Sequence, residues 1–182
     1  VWASCMVACG DADGAVTGNT RRFGASLEKI QQVVSPRIGE IMFGLNLVVH
    51  KGKTIFVADT SVHEYPSSEQ MSEIAISAAR VVRLFEFDGD MQPDVALNKD
   101  YKNLYPFSNI VGSANILIMP GQHSAAISYK MMKELGDTKV IGPLLIGLGL
   151  PIEIAPLRTS TSELINLASI AAYSADVIDY KK

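Results

Sequence analysis

In the stretch IAPLRTSTSELINLASIAAY, residues 154–173, one arginine stands among four hydroxyl side chains just ahead of a helix-period segment. Arg158 with Thr159, Ser160, Thr161 and Ser162 is a donor set suited to a phosphate, the guanidinium meeting the charge and hydroxyls and helix N–H groups meeting the oxygens. Glu163 adds a carboxylate able to accept a proton. The same residues could instead cap a helix, so the spacing leaves open whether the segment does chemistry, binds an anion or only shapes the chain.

Other clusters carry chemistry of their own. CGDADGAVTG, residues 9–18, places Asp11 and Asp13 two apart, a pattern that suits a divalent ion in a Mg²⁺-dependent phosphohydrolase or, more plainly, a glycine-rich turn. A calcium loop is excluded, because Ala15 and Val16 stand where a ligand and a glycine are needed. FDGDMQPD, residues 87–94, offers Asp88, Asp90 and Asp94 for a cation or for ribose or amide hydrogen bonds. Pro93 there sets a turn and puts Asp94 at a helix N-terminus, where its charge is favoured. His50, His63 and His123 have no partner at a metal-binding spacing. Asp59 and His63 do fall at a strand end, where open α/β sheets place ligands. No dinucleotide fingerprint or phosphate-binding glycine loop is present, and no metal site is expected.

Bulk composition narrows the classes. The 182 residues suit one domain or two small lobes, and 48% hydrophobic against 19% charged residues is enough to bury a core. A net charge of −3 and a pI near 5.6 argue against a nucleic-acid surface. The longest apolar run, VIGPLLIGLGLPI at 140–152, is too short and too broken by glycine and proline to span a bilayer, so no membrane partner is expected. Cys5 and Cys9 alone cannot complete a zinc site. With no signal peptide they point to a reducing, cytoplasmic setting with two buried thiols. The chain begins at Val1 inside an apolar segment, as a fragment of a longer polypeptide would.

These residues must be positioned by alternating strands and helices, the pattern of an α/β layered fold. IMFGLNLVVH (41–50) and KTIFVAD (53–59) read as a hairpin turned at Lys51–Gly52. Ser67 and Gln70 form a capping box for a helix with Met71, Ile74, Ala75, Ala78, Ala79 and Val82 along one stripe. ANILIMP (114–120) reads as a buried parallel strand, followed by a helix N-capped by Ser124 and ended by Gly136, then the strand TKVIGPLLIG in a βαβ crossover. A last helix covers about 161–175. One junction breaks the pattern: the helix through AARVVRLF runs into EFDGDMQ without turn chemistry. Either a deletion lies between residues 85 and 86, or a segment is omitted there.

The motifs gain specificity from their order. GDADGAVTG, FVADTSVHEYPSSEQMSEIAISAA, DGDMQPDVAL, YPFSNIVGSANILIMPGQHSAAISYKMMKELG and VIGPLLIGLGLPIEI together resemble the phosphate acetyl/butyryl transferase family almost end to end. The wording of YPFSNIVGSANILIMP, HSA and IGPLLIGL is most similar to the phosphotransacetylase-like C-terminal domain of large bacterial NADP-dependent malic enzymes. The resemblance implies a three-layer α/β/α fold in two lobes with a cleft between them, akin to the isocitrate/isopropylmalate dehydrogenase fold. About 1–35 and 153–182 would form the first lobe and about 36–152 the second. It also implies a segment before Val1 and a serine-rich stretch between Phe85 and Glu86 that this chain lacks.

Free-standing transferases of the family carry a serine followed by an arginine after the strand equivalent to LPIEI (150–154), with an acidic residue seven positions beyond the serine. An ungapped match sets Pro156 at the serine, Leu157 at the arginine and Glu163 at the acid. Arg158 comes one residue late, a turn of roughly 100° on a helical path. Ala126 stands where transferases commonly have asparagine. The resemblance therefore implies a non-catalytic, acetyl-CoA-binding regulatory domain. NADP and Mg²⁺ or Mn²⁺ would belong to an absent malic-enzyme domain that oxidatively decarboxylates malate to pyruvate, and the assembly would be a homo-oligomer, dimer or higher. The expected ligand contacts are Asp88, Asp94, Ser124, Arg158, Ser160, Ser162 and Glu163. The alternative is an active phosphate acetyltransferase using Arg158, Ser160 and Glu163. A purely structural oligomerisation domain is a further alternative.

Overall fold

A computed structural model describes residues 1–82, 87–110 and 112–177. The junction at 85–86 lies outside them. The expected hairpin is present: β2 (Phe43–His50) runs antiparallel to β3 (Lys53–Ala58), with His50 opposite Lys53 and both Lys51 and Gly52 at positive φ. That backbone matches the right-handed strand twist, which is why a Lys-Gly pair suffices as a turn. α3 (Ser68–Val82) begins on the expected capping box, Ser67 N donating to Gln70 Oε1 at 2.8 Å and Gln70 N to Ser67 Oγ at 3.2 Å.

The larger sheet has the order β4–β3–β2–β5, with β4 at Ile116–Ile118 and β5 at Thr138–Ile146. Successive strand residues face opposite sides, and Val57 and Ala58 show it. Ala58 packs with Phe43, Leu45, Ile74 and Ala78 under α3, while Val57 packs with Val48, Val140 and Ala125 under α5 (Gln122–Leu135). Helices therefore cover both faces, giving the layered α/β/α arrangement.

Two expectations for this sheet need correction. The strand at 114–120 is only three residues long, half-buried, and an edge strand parallel to β3, because Ala114 and Asn115 bond to Ala96 and Phe56 in loop geometry instead. The β4–α5–β5 unit does not join neighbours: β5 lies at the opposite edge, paired antiparallel with β2. Gly136 ends α5 in an extended rather than left-handed conformation (φ −122°).

The second sheet consists of β1 (Ala15–Gly18) and β6 (Ile152–Ala155), parallel and in register from Ala15–Ile152 to Gly18–Ala155. Ile152 and Ile154 turn toward α1 (Trp2–Cys9) and α2 (Phe23–Gln31), meeting Val7, Leu27 and Ile30. Ala155, on the other face, meets Leu167 of α6 (Thr161–Val177). A Cβ at Gly18 would drive into the Ala155 carbonyl, so the strands meet closely only with glycine there. The short helix α4 (Pro93–Leu97) and a 3₁₀ turn at Lys99–Leu104 precede β4.

Neither cysteine is the buried thiol expected. Both are free, Cys5 half-buried and Cys9 exposed, because they follow one another on the outer side of α1. One buried acid was not anticipated. Glu153 in β6 is 5% exposed, and its Oε2 accepts the Leu145 N–H at 2.9 Å, tying β6 to β5. Burial pushes its carboxyl up to about 8 despite that bond, so it is protonated at neutral pH.

Candidate functional site

The site is built at the C-terminal end of β3. Asp59 is 2% exposed and makes a hub for the loop that leaves the strand. Its Oδ1 accepts N–H groups from Gly44 (2.7 Å), Ser61 (2.9 Å) and Val62 (3.1 Å), and its Oδ2 accepts the N–H of His63 at 2.7 Å and meets His63 Nδ1 at 2.7 Å. Burial would raise the Asp59 pKa, but these bonds outweigh it and hold the carboxyl below its usual value. Gly44 lets the loop lie against β2, since a Cβ there would press on Ser61 and Thr60.

Thr60 and Ser61 are thereby fixed, their hydroxyls 3.4 Å apart. Thr60 Oγ1 donates to Asn46 Oδ1 at 2.6 Å. Asn46 is fully buried, and its Nδ2 has no hydrogen-bond partner among the described residues.

Thr60 and Ser61 line a cleft of about 300 Å³. The large-sheet side adds Gln122, Ala126, Tyr129 and Lys130, which share one face of α5, and Pro143 of β5. The small-sheet side adds Arg22 and Phe23 at the start of α2, with Pro156 and Leu157 just after β6. Among the described residues two cations line this cleft and no carboxylate does.

The sequence-expected contacts fall elsewhere. Pro156 and Leu157 form wall, whereas Arg158 is exposed at φ 62° and is not part of the lining. The loop is pinned by Asn19: the Arg158 and Thr159 N–H groups donate to its main-chain and side-chain oxygens at 3.4 and 3.1 Å. Thr159 Oγ1 donates to Pro156 O.

Ser160, Ser162 and Glu163 do come together, but as the cap of α6. Ser160 N and Oγ both donate to Glu163 Oε2, at 2.8 and 2.7 Å, and Glu163 N returns a bond to Ser160 Oγ at 3.3 Å. This is a capping box. Ser162 Oγ lies 3.3 Å from Ser160 Oγ. Lys133 of α5 reaches Glu163 Oε1 at 2.9 Å. Partial burial raises the Glu163 pKa, but Lys133 and Ser160 prevail and bring it down to about 2.

Ser124 is not the N-cap of α5. Gly121 occupies that position, and Ser124 Oγ turns back to donate to Gly121 O at 2.7 Å. Asp88 accepts the Gly89 and Asn109 N–H groups and, with Ser108 beside it, has a lowered pKa on an exposed surface. Asp94 sits in the first turn of α4, as expected from Pro93, and is exposed.

Asp11 and Asp13 occupy the turn before β1, and no three metal-binding side chains converge among the described residues. His50 pairs with Thr138 and His123 with Glu64. The cleft cations Arg22 and Lys130 were missed in the sequence because each stands in a helix-period or turn context with nothing to mark it. Glu153 did carry a signal, a single charge inside the apolar LPIEIA.

The family model for phosphate acetyl/butaryl transferase matches residues 1–87 and 83–172. The chain belongs to that family. Among relatives, it is 40% identical to an NADP-dependent malic enzyme of Rhizobium meliloti, over 96% of this chain and 28% of that protein. It is 24% identical to a phosphate acetyltransferase of Nitratidesulfovibrio vulgaris, over 96% of this chain and 30% of that one. The chain thus spans less than a third of the length of these relatives.

Among solved structures, a phosphotransacetylase from Streptococcus pyogenes superposes with a TM-score of 0.86 at 22% identity, covering 96% of this chain and 66% of that one. At that identity the likeness establishes the fold. Within this member of the transferase family, the wall after β6 presents a proline and a leucine, and α5 presents Ala126 opposite them. None of the described helices is long and apolar enough to cross a membrane.

Proposed function

We propose that this chain is the phosphotransacetylase-like domain of an NADP-dependent malic enzyme and that its cleft binds acetyl-CoA without turning it over. The observation that carries this is the wall at Pro156–Leu157. A transferase needs a group to stabilise charge on the acetyl phosphate and a group to manage the thiol proton. Here those two positions hold side chains with neither a charge nor a proton to exchange, and Ala126 across the cleft supplies no substitute. Of the residues the transferase reading would use, Ser160 and Glu163 are spent on the α6 cap and Arg158 is exposed, and none of the three is in the lining.

The 40% identity to a malic enzyme, against 24% to a phosphate acetyltransferase, supports the branch. In the complete polypeptide a separate domain would bind NADP and a divalent metal and oxidise malate to pyruvate. Acetyl-CoA in this cleft would bias that reaction through a coupling free energy between the two sites.

The same reading takes the chain to lack an internal stretch near residues 85–86. Two things support this: the family model matches in two pieces meeting at 83–87, and the malic-enzyme alignment runs over 213 residues although the chain has 182.

The test is a pair of measurements on the protein. Calorimetry with acetyl-CoA is expected to show saturable binding. A thiol-release assay with acetyl phosphate and CoA is expected to show no formation of acetyl-CoA and phosphate. Turnover that disappears in Arg158→Ala would establish the active transferase instead.

A further inference from the structure

We propose that Arg22 and Lys130, reaching the cleft from its two sides, form a subsite for a phosphate or diphosphate group. On the reading above, this is where the phosphorylated part of acetyl-CoA is held. The argument begins from charge. The protein carries a net −3, yet among the described residues the only charged side chains on the cleft wall are these two cations. Arg22 stands at the N-cap of α2, is exposed, and has no carboxylate partner among the described residues. Lys130 lies over the neighbouring Tyr129 ring, 5.8 Å from its centroid, and likewise has no carboxylate within salt-bridge distance there. The contrast with Lys133, one turn further along α5, is direct: that ammonium is neutralised by Glu163 at 2.9 Å. Of the cations on this face of α5, the one left unneutralised is the one that lines the cavity.

The remaining donors agree in sign. α5 begins at the cleft with Gln122, and its N-cap residue Gly121 gives no side-chain bond, so the first N–H groups of a fourteen-residue helix stay open to an anion. Ser61 and Thr60 contribute hydroxyls on the same wall. Beneath them, the fully buried Asn46 keeps an Nδ2 with no partner among the described residues. Among the described residues no carboxylate lines the cleft, and the nearby Asp59 is already occupied by four N–H groups and His63, while the guanidinium offers the forked geometry that phosphate oxygens take. A neutral thioester arm would draw little from these cations. Because the two charges come from helices packed on separate sheets, an anion between them also favours a narrower cleft.

The test compares three probes on the wild-type protein, Arg22→Gln, Lys130→Gln and the double variant: acetyl-CoA, S-acetylpantetheine (the same thioester arm without phosphate), and inorganic pyrophosphate. Both substituted side chains are surface groups, and thermal melts check that the variants fold. Each single change is expected to weaken acetyl-CoA about tenfold or more, the scale of a lost charge-assisted hydrogen bond. S-acetylpantetheine should be unaffected and pyrophosphate binding should be lost in the double variant. Acetyl-CoA binding unchanged in the double variant would overturn the subsite and leave the acetyl-CoA reading standing. Pyrophosphate bound through Arg22 and Lys130 by a protein that ignores acetyl-CoA would do the reverse, keeping the subsite for a different phosphorylated ligand.

Discussion

β3 and β6 both end at the cleft, and both run into a loop that starts a helix, yet the two loops use their polar residues in opposite ways. After β3, the carboxylate of Asp59 turns inward and is consumed by four N–H groups and a histidine, which leaves Thr60 and Ser61 free to face the cavity. After β6, the hydroxyls turn on their own helix, and what faces the cavity is Pro156 and Leu157. A run of hydroxyl residues beside an arginine therefore does not make an anion site if the chain needs the hydroxyls for loop and cap bonds. A single buried acid can make one indirectly by freeing its neighbours. The strands themselves repeat the contrast, for Asp59 is held ionised by its partners while Glu153, with one backbone donor, is held protonated.

The largest effect should come from breaking the β3 loop. Asp59→Ala strands several buried N–H groups at once and is expected to cost about 3–5 kcal/mol in urea unfolding, with acetyl-CoA binding lost. Unchanged stability would mean the hub does not organise the loop.

The buried acid of β6 sharpens the comparison through pH. Its folded pKa of about 8 lies above the ordinary glutamate value of 4.5, so between those values the folded state keeps a proton that the unfolded state has released. Stability contributed by Glu153 is complete below the lower value and falls as pH rises through that window, by roughly 4–5 kcal/mol in all. Glu153→Gln should remove this slope while leaving stability at pH 5 within about 1 kcal/mol, and denaturant melts of both proteins across pH 5–8 measure the difference.

The smallest effect is assigned to the segment that looked most chemical. Ser160→Ala removes one side of the α6 cap and should cost about 1 kcal/mol, with acetyl-CoA affinity unchanged. A fall in affinity of tenfold or more at constant stability would return Ser160 to the binding site.

Local signals in the sequence read well wherever neighbouring residues settle the structure. The Lys51–Gly52 hairpin, the Ser67–Gln70 box and the final helix are each determined by side chains within four positions of one another. β1 and α2 escaped because AVTG is short and half-buried, with neither alternation nor an apolar run to announce it. Pro156 and Leu157 were legible through family resemblance, and the structure places them on the wall. Ser124, Ser160 and Glu163 were ambiguous because a hydroxyl or acid near a helix start serves capping and ligand binding equally well in sequence. Only tertiary packing tells the two apart. Arg22 and Lys130 are more than a hundred positions apart, and nothing local links them.

The parallel pairing of β1 with β6 carries a consequence for how the molecule comes into being. Residue 15 sits beside residue 152, so the small sheet closes only after everything between has been synthesised and has brought its ends together. Such a distant contact carries a loop-closure cost and belongs to the slow part of folding, after the local hairpin and the sheet around it. Until β6 arrives, β1 is an unpaired edge open to the wrong partner. The small sheet is thus the last to be completed and the first to be lost if the chain is cut short at its C-terminal end.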